Sequence, residues 1–362
     1  MSGAARSRLR LPDQTLLRNL IVAAALALLL YVVSLVLDPF NDLRLATGAY
    51  YFTALAGLTV LTGLNGQISL GHGALMAVGA YATALLVGRE GWALVPAMAA
   101  ASAITAIVGA LVGAVAARLR GPYLAGATLA FAVGLPALAD RYPSTFGGRN
   151  GLTVTPPTPP AALGADFPLE RWQAWITCTA ALIALVVLAN LARSRVGRAF
   201  RAVRDDEVAA QLAGLNVARL QVLAFVLSAA CAGLAGAGLV VVTQLAAPGA
   251  FDLALSLSLL SGIVLGGLGS LAGAAWGALA LVMLPQWSTD IAQSLSLSND
   301  VQSNLPLALY GIVLMGVILA APEGIQGALR RIARRLGARV RRRPALVGAA
   351  ANQPSGQERE GP

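Results

Sequence analysis

The sequence predicts an all-α fold, that of a polytopic integral membrane protein with about ten transmembrane helices. Of its 362 residues, 57% are hydrophobic and only 12% are charged, and the mean hydropathy is +0.72. Soluble domains carry roughly 25% charged residues, so this chain cannot cover a water-facing surface. In a bilayer, lipid replaces the charged surface, and helices satisfy their own backbone groups. The composition therefore excludes a soluble protein.

Apolar runs of about 20 residues are long enough to cross the hydrocarbon core. The candidates are 19–37, 45–63, 69–88, 92–117, 123–140, 172–192, 220–243, 253–269, 271–287 and 305–321. The fifth run contains Gly134 and Pro136, and only two residues separate the eighth run from the ninth, so these three could be broken or re-entrant. The first run is longer than the core of a signal peptide and lacks a small-residue cleavage site, which favours an uncleaved helix.

The distribution of basic residues predicts that both termini are cytoplasmic. All 26 basic residues are arginine, and ten crossings leave only five of them outside, namely Arg44, Arg89, Arg141, Arg149 and Arg171. Cytoplasmic loops carry the excess of arginine in membrane proteins. An odd number of spans would move the N-terminal or the C-terminal arginine cluster outside. We therefore expect an even number of crossings.

The chain divides into a basic N-terminus, a transmembrane domain, a basic amphipathic helix and a disordered tail, at 1–18, 19–321, 322–343 and 344–362. Within the transmembrane domain, the proline-rich outer loop 141–171 is predicted to be stiff and extended. In the basic helix, one face is apolar and arginines surround it; the apolar residues are Ile325, Leu329, Ile332, Leu336 and Val340. Such a helix lies on anionic membrane lipid, and no binding of nucleic acid is expected.

The residues that are missing exclude several kinds of chemistry. A P-loop for ATP needs a lysine, and the chain contains none. One histidine, His72, and two cysteines, Cys178 and Cys231, are too few for a structural zinc site, so neither a metal site nor a catalytic site is predicted. No predicted span carries a charge at its centre, which argues against an ion-coupled secondary transporter and a membrane enzyme. Both remain as alternatives.

Two glycine-rich stretches lie in the membrane. The second, from Gly262 to Gly277, is predicted to be ordinary close packing of helices. The first mixes glycine with hydrogen-bonding side chains, and broken helices of this kind can hold a zwitterion or an amide through backbone groups. The candidates for a substrate path are Asn65, Gly66, Gln67, Ser69, Gly71, His72 and Thr128. For His72, a hydrogen-bonded helix residue is favoured over a proton relay because no carboxylate is near in sequence.

The cytoplasmic loop 193–219 predicts two short helices. Val196, Phe200 and Val203 share one face of the first helix, with arginines spaced three apart beside them. We expect Asp205 to cap the second helix and Gly214 to end it in the left-handed conformation. Two short, capped helices would form a rigid knob. The alternative is an amphipathic connector that lies on anionic lipid.

This loop resembles the coupling loop of ABC importer permeases. Val208-Ala209-Ala210 and Gly214 hold the places of the Glu-Ala-Ala…Gly signature, with Glu207 one residue early and without the usual downstream proline. With this departure from the signature, the loop resembles that of the permeases of high-affinity branched-chain amino-acid importers. Other similar stretches, in the same order within about 45–330, are Gly63–Ala74, Gly121–Leu124, Thr128–Phe131, Gly147–Thr153, Arg198–Asn216 and Val264–Leu271. Such importers use a pair of permeases, called M and H. The long outer loop and Arg204–Glu207 resemble the M-type permease.

The resemblance implies a location in the bacterial inner membrane and a set of partners. They are a second, homologous permease, two ABC ATPase subunits that use the ATP, and a periplasmic solute-binding protein, with no cofactor in this chain. It also implies that the loop contacts the ATPases through Arg198, Arg201, Arg204, Asp205, Asp206, Glu207, Ala209, Ala210 and Gly214. The implied substrates are leucine, isoleucine and valine. Permeases for urea and short amides are close relatives, so these solutes remain an alternative.

Overall fold

The computed structural model describes residues 13–119, 122–156, 158–164, 166–294, 311–313, 315–316, 319 and 324–341. We number its helices α1 (Asp13–Val36), α2 (Pro39–Leu58), α3 (His72–Gly88), α4 (Leu94–Ala116), α5 (Pro122–Arg141), α6 (Pro143–Phe146), α7 (Leu169–Arg193), α8 (Arg195–Asp205), α9 (Glu207–Leu212), α10 (Val217–Thr243), α11 (Leu253–Gly266), α12 (Leu271–Ser294) and α13 (Gly324–Arg341). A π-helical segment, Thr59–Leu64, continues α2. Short 3-10 turns lie at Gly148–Asn150, Ala161–Leu163 and Pro248–Phe251. The all-α, polytopic fold is confirmed.

Within these ranges, eight helices are long and apolar enough to cross a membrane. They are Leu16–Val36, Pro39–Leu64, Leu94–Ala116, Tyr123–Arg141, Leu169–Arg193, Val217–Thr243, Pro248–Gly266 and Leu271–Asp290. The third predicted run forms the shorter helix α3, which begins only at His72. Helix α5 continues through Gly134 and Pro136, and α11 and α12 are separate helices. Most of the run 305–321, and the predicted tail 344–362, lie outside the described residues, so the count of ten stays a prediction.

Helix α10 lies at the centre of the bundle, where α2, α3 and α4 pack around it. Of its apolar 18-residue stretch, 72% is buried inside the protein. The contacts are made through glycine, because Gly233 meets the backbone of Gly79 and Gly236 meets that of Met76. A Cβ atom at Gly236 would overlap the Met76 carbonyl of α3, and one at Gly233 would overlap Thr105 of α4. Small residues at these places therefore determine how closely the helices approach.

Helix α1 lies at the periphery and contacts α7. Only 11% of its apolar 18-residue stretch is buried, so most of its surface is left for lipid. Asn19 Nδ2 donates a hydrogen bond to Asn190 Oδ1 over 2.9 Å, and Trp175 Nε1 donates to Ser34 Oγ over 2.9 Å. These two contacts join the helices near both of their ends, which sets their register.

A buried ion pair joins the start of α2 to the start of α7. Arg171 Nε lies 3.3 Å from Asp42 Oδ2, and the Asp42 side chain is fully buried. The same guanidinium donates to the Leu37 carbonyl over 3.3 Å. Because breaking a buried pair leaves an uncompensated charge, this contact restrains how α2 and α7 can slide. Both residues fall just outside the apolar runs that the sequence predicts.

The first half of the outer loop folds back onto the helices and is more ordered than the extended loop that the sequence predicts. Strand β1 (Leu152–Thr153) pairs antiparallel with β2 (Leu245–Ala246), which follows α10. Phe146 packs edge-on against Tyr81 of α3, with 5.3 Å between ring centroids. Arg89 donates to the Ser144 carbonyl. The loop therefore closes one end of the bundle over α3 and α10.

The substitution Gly79→Ala tests the α3–α10 contact. The new methyl group overlaps the Gly233 backbone, so we expect a loss of about 1–3 kcal/mol of stability, seen as a lower unfolding midpoint of the detergent-solubilised chain. Gly126→Ala is the matched control, because Gly126 has open space around it in α5. Equal midpoints for the two variants would contradict the glycine-mediated contact.

Candidate functional site

Residues 195–212, which we call the coupling hairpin, form the two predicted short helices, α8 and α9. Ser194 Oγ accepts from the Gly197 N–H over 3.3 Å and caps α8. Asp206 Oδ1 accepts from the backbone N–H groups of Val208 and Ala209 over 2.8 and 3.0 Å and caps α9. The expectation that Asp205 is this cap is wrong, since Asp205 is still the last helical residue of α8.

Gly214 follows the hairpin with a φ of +84°, as predicted for a left-handed helix end. Asn216 then caps α10, with its Oδ1 accepting from the Arg219 N–H over 3.0 Å. The predicted apolar face is also confirmed, because Phe200 and Val203 are buried. The hairpin is therefore a rigid unit that is joined directly to the central helix.

The opposite surface of the hairpin is apolar and open. Val208 is 64% exposed and Leu212 is 86% exposed, one helical turn apart on α9. Ala209 and Gly214 are exposed beside them, whereas Ala210 is buried. The sequence analysis missed Val208 and Leu212 as surface residues. Their spacing of four was the available signal, but only the packing of α9 shows which of its faces is free.

Three of the four arginines of α8 donate to backbone carbonyls. Arg198 and Arg201 donate to the carbonyls of Arg193 and Ala192, over 3.2 and 2.9 Å, at the negative end of α7. Arg204 Nη1 instead crosses to the π-helical segment and donates to the Gly63 carbonyl over 2.8 Å. The arginines therefore hold the hairpin to the transmembrane helices.

The acidic residues of the hairpin have separate partners. Asp205 Oδ1 accepts from Arg204 over 2.8 Å at the surface. Glu207 Oε1 accepts from Gln221 Nε2 of α10 over 2.9 Å. Together with the Asp206 cap, these bonds give each predicted acidic residue a structural contact within the hairpin or with α10.

We call residues 63–73 the glycine-rich segment. It begins in the π-helical segment that continues α2, is not helical after Leu64, and enters α3 at His72. The backbone is held by hydroxyl groups, because the Leu70 N–H donates to Thr128 Oγ1 over 3.1 Å and the Gly73 N–H to Ser256 Oγ over 3.0 Å. Ser69 Oγ accepts from the Gly71 N–H over 3.3 Å. The segment therefore has contacts with both α5 and α11.

His72 is fully buried at the start of α3. Its Nε2 donates to the Ala54 carbonyl of α2 over 3.0 Å, because a carbonyl can only accept. This is the hydrogen-bonded helix residue that the sequence analysis favoured. The bond ties the start of α3 to α2.

Two amide side chains in the glycine-rich segment are buried without satisfying their polar atoms. Asn65 is 2% exposed, and both its Oδ1 and its Nδ2 lack a hydrogen-bond partner among the described residues. The Oε1 of Gln67 also lacks a hydrogen-bond partner among these residues. A buried polar atom without a partner costs about 1–3 kcal/mol, so each of these atoms calls for a structural or functional reason.

The coupling hairpin, the glycine-rich segment and the α11–α12 turn meet at one place. The backbone of Gly63 lies against that of Gly269, so closely that a Cβ at Gly63 would overlap it. Gly66, with a φ of +83°, lies under the Arg204 side chain. We call Arg204, Gly63, Gly66 and Gly269 the coupling junction. It brings together three motifs that are far apart in the sequence.

The second glycine-rich stretch packs as the sequence predicts. Gly266 of α11 lies against the backbone of Gly273 and Gly277 of α12, and Gly277 also contacts Gly262. The two helices form a hairpin whose tight turn carries Gly269 to the coupling junction. Within the described residues there is no group of three or more metal-ligating side chains.

Comparison with known proteins identifies the family. Residues 41–322 match the model described as "Branched-chain amino acid transport system / permease component". The chain belongs to this family. It is a multi-pass protein of the bacterial inner membrane, and its family is one of transport permease subunits that are not themselves catalytic.

Several permeases of high-affinity branched-chain amino acid transport systems are similar to this one. The LivM protein of Salmonella typhimurium is 31% identical over 78% of this chain and 69% of its own length. The LivH protein of Escherichia coli is 30% identical over 80% of this chain and 94% of its own length. The autoinducer 2 import system permease protein LsrC of an Enterobacter species is 30% identical over 88% and 90%. No solved structure matches the chain.

The substitution Arg204→Gln tests the coupling junction in the isolated permease. Losing a charged hydrogen bond to Gly63 should loosen the glycine-rich segment, and we expect hydrogen exchange of the amides of residues 64–67 to become about tenfold faster. Arg198→Gln removes the same charge from α8 without touching that segment, so its exchange should be unchanged there. Equal effects of both variants would show that Arg204 has no specific role in ordering residues 64–67.

Proposed function

We propose that this permease is the M-type membrane subunit of an ABC importer, which moves branched-chain amino acids that a periplasmic binding protein delivers. ATP hydrolysis by two separate ATPase subunits drives it, and a second homologous permease completes the path. The observation that carries the proposal is the two-sided coupling hairpin. One side presents Val208 and Leu212 to the surface, and the other is bonded through Arg204 to the π-helical segment that continues α2.

The hairpin suggests how force could pass into the membrane. An ATPase that binds the exposed apolar turn of α9 would move α8 with it, because Ala210 of α9 packs with Val203 of α8 in one buried apolar cluster. Arg204 would carry that movement to Gly63 and Gly66. The π-helical segment at Thr59–Leu64 is the natural hinge, since π-turns in α-helices are frequent at functional sites. The mechanism we propose is alternating access.

The substrate proposal rests on the family description and on the chemistry of the glycine-rich segment. The unpartnered amides of Asn65 and Gln67 could bind the carboxylate and ammonium of an amino acid when the path opens. The centres of the predicted spans hold no charged side chain, which suits a solute of zero net charge. Urea and short amides satisfy the same groups and are the alternative. Ser69, Gly71, His72 and Thr128 remain candidate path residues.

The substitution Leu212→Asp tests the docking role of the hairpin. The importer is reconstituted in liposomes as this permease with its second permease, both ATPases and the binding protein, and ATP-driven uptake of labelled leucine is measured. A carboxylate in a buried apolar contact should lower uptake more than about tenfold. Leu212→Met, which keeps the apolar contact, is the matched control and should retain uptake.

The same assay separates the alternatives. Undiminished uptake by Leu212→Asp at normal membrane levels would contradict docking through α9. Flux by the permease alone under an ion gradient would instead indicate a secondary transporter. Competition by excess isoleucine and valine, but not by urea, is the result we expect for the substrate class.

A further inference from the structure

A small polar cavity lies beside the coupling junction, between the α11–α12 turn and helix α13. Its volume is about 270 Å³. The described residues that line it include three arginines and no carboxylate; they are Gly267, Leu268, Ser270, Gln326, Gly327, Arg330, Arg331 and Arg334. The function proposed above makes no use of this cavity.

Helix α13 is held to this place by specific contacts. Gln326 Oε1 accepts from Trp276 Nε1 of α12 over 3.0 Å, and Arg330 Nη2 donates to Ser270 Oγ over 3.2 Å. Gly324, with a φ of +73°, lies against the backbone of Gly267. The basic helix that the sequence predicts is therefore docked on the bundle, at the end where the coupling hairpin also lies.

The charge in the cavity favours an anion. Ser270 stands immediately before α12, and its Oγ accepts from the Gly273 N–H over 3.4 Å, so the cavity opens on the positive end of a 24-residue helix. Arg330 and Arg334, which are one helical turn apart on α13, bring two positive charges to that end, and these repel each other and the helix dipole. A negative group between them would replace this repulsion by attraction. Phosphate oxygens match the geometry of the arginine guanidinium.

The surroundings favour a lipid as the source of the anion. Leu329 is 42% exposed and Ile332 is 54% exposed on α13, beside the arginines of the cavity. Apolar side chains next to basic ones are typical of a helix that lies at the membrane surface. The distribution of arginines places this end of the bundle on the cytoplasmic side, where anionic lipid attracts basic segments.

We infer that the cavity binds the phosphate of an anionic phospholipid headgroup, held by Arg330 and Arg334 at the start of α12. The turn that carries the site also carries Gly269, which packs against Gly63 in the coupling junction. Bound lipid would thereby stiffen the turn on which the coupling hairpin acts. This link to transport rests on the proposed function, whereas the binding site itself does not.

Binding is tested on the purified, delipidated full chain in neutral detergent. Phosphatidylglycerol is titrated in, and bound lipid is counted by native mass spectrometry, with phosphatidylcholine as the neutral lipid. We expect Arg330→Gln combined with Arg334→Gln to weaken phosphatidylglycerol binding about tenfold or more, because each basic residue near anionic lipid contributes about 1 kcal/mol. Replacing the same two arginines by lysine keeps the charge and should retain most of the binding.

Arg118→Gln is the control, since it removes an exposed arginine at the end of α4 on the same predicted side. Equal losses for Arg118→Gln and the double variant, or no loss in the double variant, would overturn the site. Hydrogen exchange of the unmodified chain gives a second test that needs no variant. Phosphatidylglycerol should protect the amides of residues 271–273. The same protection by inorganic phosphate alone would overturn the assignment to lipid.

Discussion

Close contact between helix backbones around α10 is the constraint on which the rest of the molecule depends. Gly79 and Gly236 let α3 and α10 approach until backbone touches backbone, and α2 and α4 also pack onto α10. Lipid is as apolar as the helix surfaces, so packing and not hydrophobic burial must hold the bundle together. A tightly packed scaffold of this kind lets a short, non-helical segment such as 65–71 persist within it.

The functional elements collect at one end of that scaffold. The coupling hairpin, the glycine-rich segment, the α11–α12 turn and α13 are neighbours there, and backbone carbonyls accept the arginine bonds that hold the hairpin. This chemistry suits a moving part, because an arginine can exchange one carbonyl for another without stranding a buried carboxylate. The unpartnered amides of Asn65 and Gln67 are the exception, and they lie in the segment that the hairpin contacts.

Much of this could be predicted from local pattern. The apolar runs marked the spans, the Phe200–Val203 face was buried as expected, and Gly214 adopted the left-handed conformation. The cap of α9 was misplaced by one residue because two adjacent aspartates are equivalent in sequence, and only backbone geometry separates Asp206, which is extended, from Asp205. The pairing of β1 with β2 was missed because its two strands are far apart in the chain.

By itself, the sequence determined the membrane class, the family and the position of each motif, because these follow from composition, helix period and short residue patterns. Only the tertiary structure decided which motifs meet. Arg204 and Gly63 are 141 residues apart, and no periodicity relates them. Likewise, the exposure of Leu212 and the gathering of arginines beside Ser270 depend on how α9 and α13 pack. Contacts of this range follow from the close packing of whole helices, which local propensity does not encode.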